Sequence, residues 1–256
     1  MMSPQTLLIT GAASGINAAA AKHLRAQGHK VIGVDLHDAD IVADLGQTAG
    51  REQLIREAAR LAPDGLDAIV AGAGVIGFDD PGLAVRVNFF GALATLDGLY
   101  PLLAQSAHPR AVSIVSTASR LPTSAATVAA CLAQDEGRAI EAARADPATA
   151  YASSKYALAR WIRQQAITPR WAGNGITLNG IAPGGVHTPM MPGVEGNDAF
   201  HAIMVNTTPK AVAAYGQPDD LAEVIGWLAT SQTAYLTGQI LFVDGGTDAI
   251  LRPDDF

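Results

Sequence analysis

Tyr151 and Lys155 stand four residues apart at the head of a segment with helical period, so a helix there carries both side chains on one face. A tyrosine works as a general acid or base only when its pKa falls from about 10 toward neutrality. A shift of about three units requires roughly 4 kcal/mol of differential stabilisation, which an adjacent ammonium and a bound cationic ring can supply. Ser116 closes an apolar strand pattern over 111–116, at the carboxyl edge where open α/β sheets bind ligands. Its hydroxyl is placed to hold a substrate oxygen while Tyr151 moves the proton, although a lone serine at a strand end carries no such meaning by itself.

A second constellation lies near the N-terminus. An apolar run ends in Thr10-Gly11-Ala12-Ala13-Ser14-Gly15-Ile16-Asn17 and enters an alanine-rich helical segment. A glycine-rich turn from strand to helix lets backbone N–H groups and the helix N-terminus approach a pyrophosphate. The next strand pattern ends in an acid, Asp35, 24 residues after Gly11. An acid there hydrogen-bonds the adenine-ribose hydroxyls and repels a 2′-phosphate, since a charge pair at about 4 Å is worth up to about 4 kcal/mol at an effective dielectric near 20. The cofactor expected is therefore NAD rather than NADP.

Apolar strand patterns at 6–10, 30–35, 67–71, 111–116, 176–181 and 240–243 alternate with helical patterns at 15–27, 51–61, 83–103, 150–168 and 219–229. Asp219 is the expected cap of the last helix. This alternation predicts an α/β fold: a single-domain, doubly wound parallel sheet of Rossmann-like form with helices on both faces, spanning 1–256. Two segments stand outside it. Residues 120–149 read as an insertion of one or two helices, and 183–217, long and rich in Pro and Gly, as a substrate loop or lid.

Composition sets the bounds. The chain has 256 residues, 49% hydrophobic and 16% charged, with a formal charge of -7. A mean hydropathy of +0.19 demands a large core. The acidic balance argues against nucleic acid or an anionic membrane as partner. No stretch approaches the roughly 18 apolar residues that span a bilayer. A single cysteine, Cys131, excludes an internal disulfide framework and reads as a small core residue in a reducing compartment. No secretory leader is recognised, so a cytoplasmic location is expected. The six histidines lack metal-ligand spacing, so no metal is expected and most read as surface residues. Of these, His187 together with Met190 and Met191 is a candidate for the substrate pocket, with Pro192, Phe200 and Met204 as further apolar candidates.

Taken together, Thr10-Gly-x-x-x-Gly15, Asp35, Val87-Asn88, Ser116 and Tyr151-x-x-x-Lys155 resemble the short-chain dehydrogenase/reductase family. Asn179-x-x-x-Pro183-Gly184 and Val243-Asp244-Gly245-Gly246 extend the likeness over nearly the whole chain. The stretch from Gly28 to Leu45, the tail from Asp244 to Pro253 and the 34 residues between Ser116 and Tyr151 are most similar to the 3α-hydroxysteroid dehydrogenase/carbonyl reductase subgroup. The resemblance implies a tetrad in which Tyr151 is the acid/base and Ser116 positions the carbonyl or alcohol oxygen. Lys155 would lower the tyrosine pKa and bind the nicotinamide ribose, and Asn88 would support a proton-relay water. It implies cofactor contacts at Gly11, Ser14, Gly15, Ile16, Asp35, Leu36, Asp44, Leu45, Ala73, Gly74, Pro183, Gly184, Val186 and Thr188, besides Tyr151 and Lys155. The substrate implied is a secondary alcohol or its ketone, on a steroid or smaller alicyclic ring, and the assembly a homo-oligomer, dimer or tetramer.

Three departures from that pattern stand out. Asn17 occupies the third glycine position and would add a side chain beside the pyrophosphate. Ala71-Gly72-Ala73-Gly74 replaces Asn-Asn-Ala-Gly, so the hydrogen bonds of those asparagines must come from elsewhere. The insertion precedes the catalytic helix, whose outer face commonly forms a subunit contact in this family. An alternative of a different class, a scaffold or regulator that holds NAD without turning it over, stays open at this level. A non-redox enzyme of the same fold is the remaining alternative.

Overall fold

The computed structural model describes residues 3–191 and 207–255. Within them β1 (Thr6–Thr10), β2 (Lys30–Asp35), β3 (Ile41–Val42), β4 (Ala68–Ala71), β5 (Arg110–Ile114), β6 (Thr177–Pro183) and β7 (Ile240–Val243) form one sheet. All pairings are parallel, in the order β3-β2-β1-β4-β5-β6-β7. Strands covered on both faces need no alternation of polar residues, and Leu7, Leu8 and Ile9 are all fully buried.

Successive side chains feed two cores. Leu7 and Ile9 pack with α1 (Gly15–Ala26) and the late helix α9 (Pro218–Thr230), through Leu24, Leu221 and Ile225. Leu8 packs on the other face with Leu54, Leu96, Leu158 and Ile162, from α2 (Thr48–Leu61), α4 (Ala92–Gly98) and α8 (Ala150–Ala166). The doubly wound sheet expected from the alternation is present.

Several element boundaries differ from expectation. β4 starts one residue later than expected, and Asp67 just before it holds Thr6 N (2.8 Å) and the Ser106 hydroxyl (2.7 Å) with its carboxylate. β5 ends at Ile114, and Ser116 instead caps the 3₁₀ turn Thr117–Arg120 by accepting from Ala118 N (3.1 Å). β6 runs two residues further than expected, to Pro183, because β7 pairs with it from Gly180 to Pro183. The two-residue β3 was not foreseen, being too short to show a pattern.

The helix expected over 83–103 is continuous over 81–98, with a change of hydrogen-bond pattern inside it, and breaks before its last turn. Asp80 caps α3 (Pro81–Val85), a π-helical segment follows at Arg86–Gly91, and α4 gives way to α5 (Tyr100–Leu103), where Pro101 cannot continue the preceding hydrogen-bond pattern. Asp219 does not cap α9. Gln217 does, in a reciprocal capping box with Asp220, and Pro218 takes the first helical position.

The insertion forms two helices, α6 (Ala125–Leu132) and α7 (Glu136–Ala145). α6 packs on α8 and α7 on α3. Cys131 is fully buried there, and burial pushes its thiol up to about 12, which suits an inert core residue. Arg51 of α2 ties the insertion to the body. Its guanidinium donates to both Glu136 oxygens (2.8 and 2.7 Å), to Leu45 O (2.7 Å) and to Arg86 O (3.0 Å). Removing the carboxylate leaves a buried guanidinium half-paired, so Glu136→Gln is expected to destabilise the protein by about 1–2 kcal/mol, the partial exposure of Glu136 reducing the usual penalty. Differential scanning calorimetry checks this, and an unchanged melting profile would show that packing alone holds α7.

Candidate active site

The chain leaves β1 toward β2 and β3 on one side and returns to β4 on the other, so the sheet has its topological switch point between β1 and β4. Ligands bind outside the carboxyl ends of the strands at such a point. A cavity of about 520 Å³ opens there, bounded by Gly11 after β1, Gly72 to Gly74 after β4, Ile114 to Ser116 after β5 and Pro183 at the end of β6.

One arm of the cavity suits a dinucleotide. Gly11 and Gly15 adopt left-handed backbone, with φ of 76° and 57°. A Cβ on Gly11 would lie 3.0 Å from the Ala73 Cα, and one on Gly15 would lie 3.3 Å from the Thr188 methyl. The turn is thus pressed between the β4 loop and the segment after β6. α1 starts behind it with extended Ser14 as N-cap, no side-chain cap and no acid in its first turn, so its N–H groups face the cavity without a competing carboxylate.

Further along, Asp35 accepts from Ala13 N (2.8 Å) and Leu36 N (2.7 Å). Leu36 is an exposed apolar side chain at the cavity wall, opposite Asp44 and Leu45. Every cofactor contact named from the sequence, Gly11, Ser14, Gly15, Ile16, Asp35, Leu36, Asp44, Leu45, Ala73, Gly74, Tyr151, Lys155, Pro183, Gly184, Val186 and Thr188, lies on the wall of this cavity. The cradle fits a dinucleotide, and the charged side chains on its described wall are Asp35, Asp44 and Lys155.

The other arm holds the acid/base candidates. Tyr151 and Lys155 lie one turn apart on α8 and face the cavity, with Ser116 opposite. The Ser116 hydroxyl and the Tyr151 phenol lie on the wall of the same cavity, and the serine favours the ionised phenol, an effect smaller than that of burial. Tyr151 keeps part of its surface open to the cavity, yet, against the lowering expected from Lys155, burial raises its pKa and Ser116 opposes this only in part. The Lys155 ammonium is 3% exposed, donates to Ile114 O (2.8 Å) and is lowered to about 8 by burial. Gly74 makes room for it, because a Cβ there would lie 3.3 Å from Lys155 Nζ and 3.1 Å from Asn88 Oδ1.

Asn88 sits one layer behind the wall. It is fully buried within the π-helical segment. Its amide binds Val75 in both directions (Val75 N to Oδ1, 2.8 Å; Nδ2 to Val75 O, 2.9 Å) and donates to the Ser154 hydroxyl (3.0 Å). Ser154 in turn donates to Tyr151 O (2.7 Å), so Asn88 braces both the β4 loop and the first turn of α8. Ser154 and Val75 were not foreseen, although a hydroxyl beside Lys155 was a visible signal.

Two other motifs act as supports. Asn179 ties β6 to the approach to β7 through Leu236 O (2.8 Å) and Gln239 N (2.9 Å). A Cβ on Gly184 would strike Asp244 Cα at 2.7 Å, so Pro183-Gly184 and Asp244-Gly245-Gly246 pack backbone to backbone behind the cavity.

One candidate for the cavity requires correction. His187 does not line the cavity: it is exposed and packs edge-on against Tyr215, ring centroids 5.7 Å apart. The pairing of its N–H with Gly216 O (2.9 Å) fixes the backbone so that the ring turns outward. Asn17 lines the cavity beside the glycine-rich turn, as expected, with its amide donating to Gly72 O (2.9 Å). His29, moreover, is buried rather than on the surface, accepting from Gln5 N (3.1 Å). Met190 and Met191 do line the cavity, joined by Val75, Ile76, Phe78, Ala118 and Leu121, which the sequence did not single out. Pro192, Phe200 and Met204 lie outside the described residues. Among the described residues no group of side chains is arranged to hold a metal, and no helix is long and apolar enough to cross a membrane.

Comparison with known proteins follows the same lines. Residues 11–248 match the family described as Enoyl-(Acyl carrier protein) reductase. The chain is 33% identical over 258 residues to 3-alpha-hydroxysteroid dehydrogenase/carbonyl reductase of Comamonas testosteroni, covering 98% of this chain and 99% of that protein. It is 27% identical to cis-4-hydroxycyclohexanecarboxylate dehydrogenase of Sinomonas cyclohexanicum, covering 95% and 96% respectively. The crystal structure of 3-alpha-hydroxysteroid dehydrogenase from Pseudomonas sp. B-0831 complexed with NADH superposes with a TM-score of 0.92 at 39% identity, covering 98% of this chain and 100% of that one.

Proposed function

The chain belongs to the short-chain dehydrogenase/reductase family, and from that premise we propose that it is an NAD-dependent oxidoreductase interconverting a secondary alcohol and a ketone on an uncharged alicyclic or steroid-like ring. The observation that carries this reading is the convergence of Ser116, Tyr151 and Lys155 on one cavity whose wall also holds Asp35. The apolar wall of Ile76, Phe78, Ala118, Leu121 and Met190 supports a ring substrate without charge.

In oxidation, Tyr151 takes the alcohol proton while Ser116 holds the same oxygen in line. The nicotinamide ring, when bound, supplies the hydride acceptor for oxidation or the donor for reduction. Lys155 offers its remaining N–H donors to the cofactor ribose and its charge to the developing phenolate. Asn88 holds Val75 and the start of α8 still, and with them the Tyr151 backbone. In reduction the proton runs the other way, from the Tyr151 phenol to the carbonyl oxygen.

Asp35 carries the preference for NAD. No lysine or arginine lies on the described wall around it to receive a 2′-phosphate. Replacing Asp35 with serine is expected to shift the NADP-to-NAD ratio of kcat/KM by about 10- to 100-fold toward NADP, a partial release of the charge repulsion. Steady-state kinetics with both cofactors checks it, and an unmoved ratio would place the discrimination elsewhere.

A homo-oligomer and a cytoplasmic setting belong to the same reading. With α6 lying on α8, assembly through a face other than the α8 surface is the form it favours.

The test of the function is reduced-nicotinamide formation from NAD with a panel of secondary alcohols, from small cyclic alcohols to 3α-hydroxysteroids. Turnover on any ring alcohol supports the proposal. Tight NADH binding with no turnover across the panel would overturn it in favour of a non-catalytic NAD-binding role.

A further inference from the structure

Below the cofactor cavity, at the seam between β1 and β4, residue 72 has both backbone polar groups held by side chains from the first glycine-rich turn. Gly72 N donates to the Thr10 hydroxyl (3.0 Å), which also accepts from Ala73 N (3.1 Å). Gly72 O accepts from Asn17 Nδ2 (2.9 Å). Asn17 is 8% exposed, and its Oδ1 is buried without a hydrogen-bond partner among the described residues.

The amide does more than bridge. A Cβ built on Gly72 would lie 2.2 Å from Asn17 Oδ1, 2.5 Å from Cγ and 2.6 Å from Nδ2. The Asn17 side chain therefore fills the volume that a side chain at position 72 would occupy. Gly11 is drawn into the same knot, since a Cβ there would lie 3.0 Å from Asn17 Nδ2.

We propose that Asn17 and Gly72 are an exchanged pair. The amide that the end of β4 lacks is delivered from the first turn of α1, and Gly72 is obligatory because that amide takes its place. Asn17 is thereby a positioning residue. It joins the pyrophosphate-side turn to the loop carrying Ala73 and Gly74, across the sheet's switch point, and so sets the floor on which the cofactor lies. The consequence for cofactor binding rests on the function proposed above; the steric exchange does not.

The experiment is a double-mutant cycle on the full-length protein: Asn17→Gly, Gly72→Asn and the two combined. Thermal midpoints are read without cofactor, and NADH dissociation constants by fluorescence titration. Each single variant is expected to lose about 5 °C or more and to bind NADH about 10-fold more weakly. The combined variant returns the amide to β4 and is expected to recover to within about 2 °C and about threefold of the native values. Losses that simply add in the combined variant would overturn the exchange.

Asn17→Asp keeps the volume but cannot donate to Gly72 O, which covers the case in which a single variant fails to fold. Its NADH dissociation constant is expected to rise about 10-fold, with kcat at saturating NAD retained. Unchanged NADH affinity in Asn17→Asp would overturn the positioning role. Failure of the native protein to bind NADH would count against the proposed function instead, and the thermal cycle would still decide the pairing.

Discussion

Replacing Tyr151 with phenylalanine is expected to cut turnover by about 10²- to 10⁴-fold while leaving NADH affinity within about threefold of the native value. Phenylalanine keeps the ring that packs in α8 and removes only the hydroxyl. Ser116 retains its own anchor to Ala118 N, so the substrate oxygen can still be held but its proton has nowhere to go. Burial holds the Tyr151 phenol above its ordinary value, so the group rests as an acid. Ketone reduction is thus expected to run at neutral pH, whereas alcohol oxidation, which consumes the phenolate, should speed up as pH rises. Pre-steady-state and steady-state rates in both directions check this. Near-native turnover by Tyr151→Phe would remove the tyrosine from the chemistry.

Lys155→Met is expected to abolish measurable oxidation and at the same time to make the cofactor-free protein more stable. The Lys155 shift from 10.5 to about 8 corresponds to roughly 3 kcal/mol spent at neutral pH on keeping a buried ammonium charged. Losing its hydrogen bond to Ile114 O takes back about 1 kcal/mol, so a net gain of about 1–2 kcal/mol should appear in urea titrations. The sign against pH follows from proton counting. Between about 8 and 10.5 the unfolded lysine binds more protons than the folded one, so Lys155 makes the native chain more stable as pH rises through that window. Cys131, raised to about 12, and Tyr151, also raised, act oppositely above their unfolded values near 9 and 10. The stability difference between Lys155→Met and the native protein should therefore shrink as pH rises from about 8 to 10.5, since both proteins share the Cys131 and Tyr151 contributions. A Lys155→Met protein less stable than native at neutral pH would show that the ammonium is better paired than its surroundings indicate.

The two substitutions separate roles that the compact site otherwise merges. A protein that holds a charged lysine at 3% exposure forgoes stability at that position, as expected where function and not folding sets the residue. Glu136, Asp35 and the Asn17–Gly72 pair each test a different layer around it: the insertion, the cofactor preference and the floor of the cavity.

The doubly wound fold was written in the sequence, and so was the placing of the named cofactor residues on one cavity wall, because each depends on near neighbours along the chain. Strand–turn–helix at 6–26, an acid at the end of the next strand, and a Tyr–Lys pair one helical turn apart are local patterns, and a parallel sheet with right-handed crossovers turns them into one edge. What the sequence missed depends on contacts between distant parts of the chain. The expected helix at 83–103 is helical throughout 81–98, but with a π-helical stretch at Arg86–Gly91 around Asn88 and a break before Tyr100–Leu103. His187 turned outward onto Tyr215, and the apolar wall acquired Phe78 and Leu121, through loop paths that no period encodes. Asn17 and Gly72 are the clearest case. Read separately, each is a departure from a glycine-rich turn and a strand end 55 residues apart, and each looks like a loss. Only in three dimensions do they prove to occupy one volume, because a side chain's place is set by where its backbone leaves space, and that space belongs to another part of the chain.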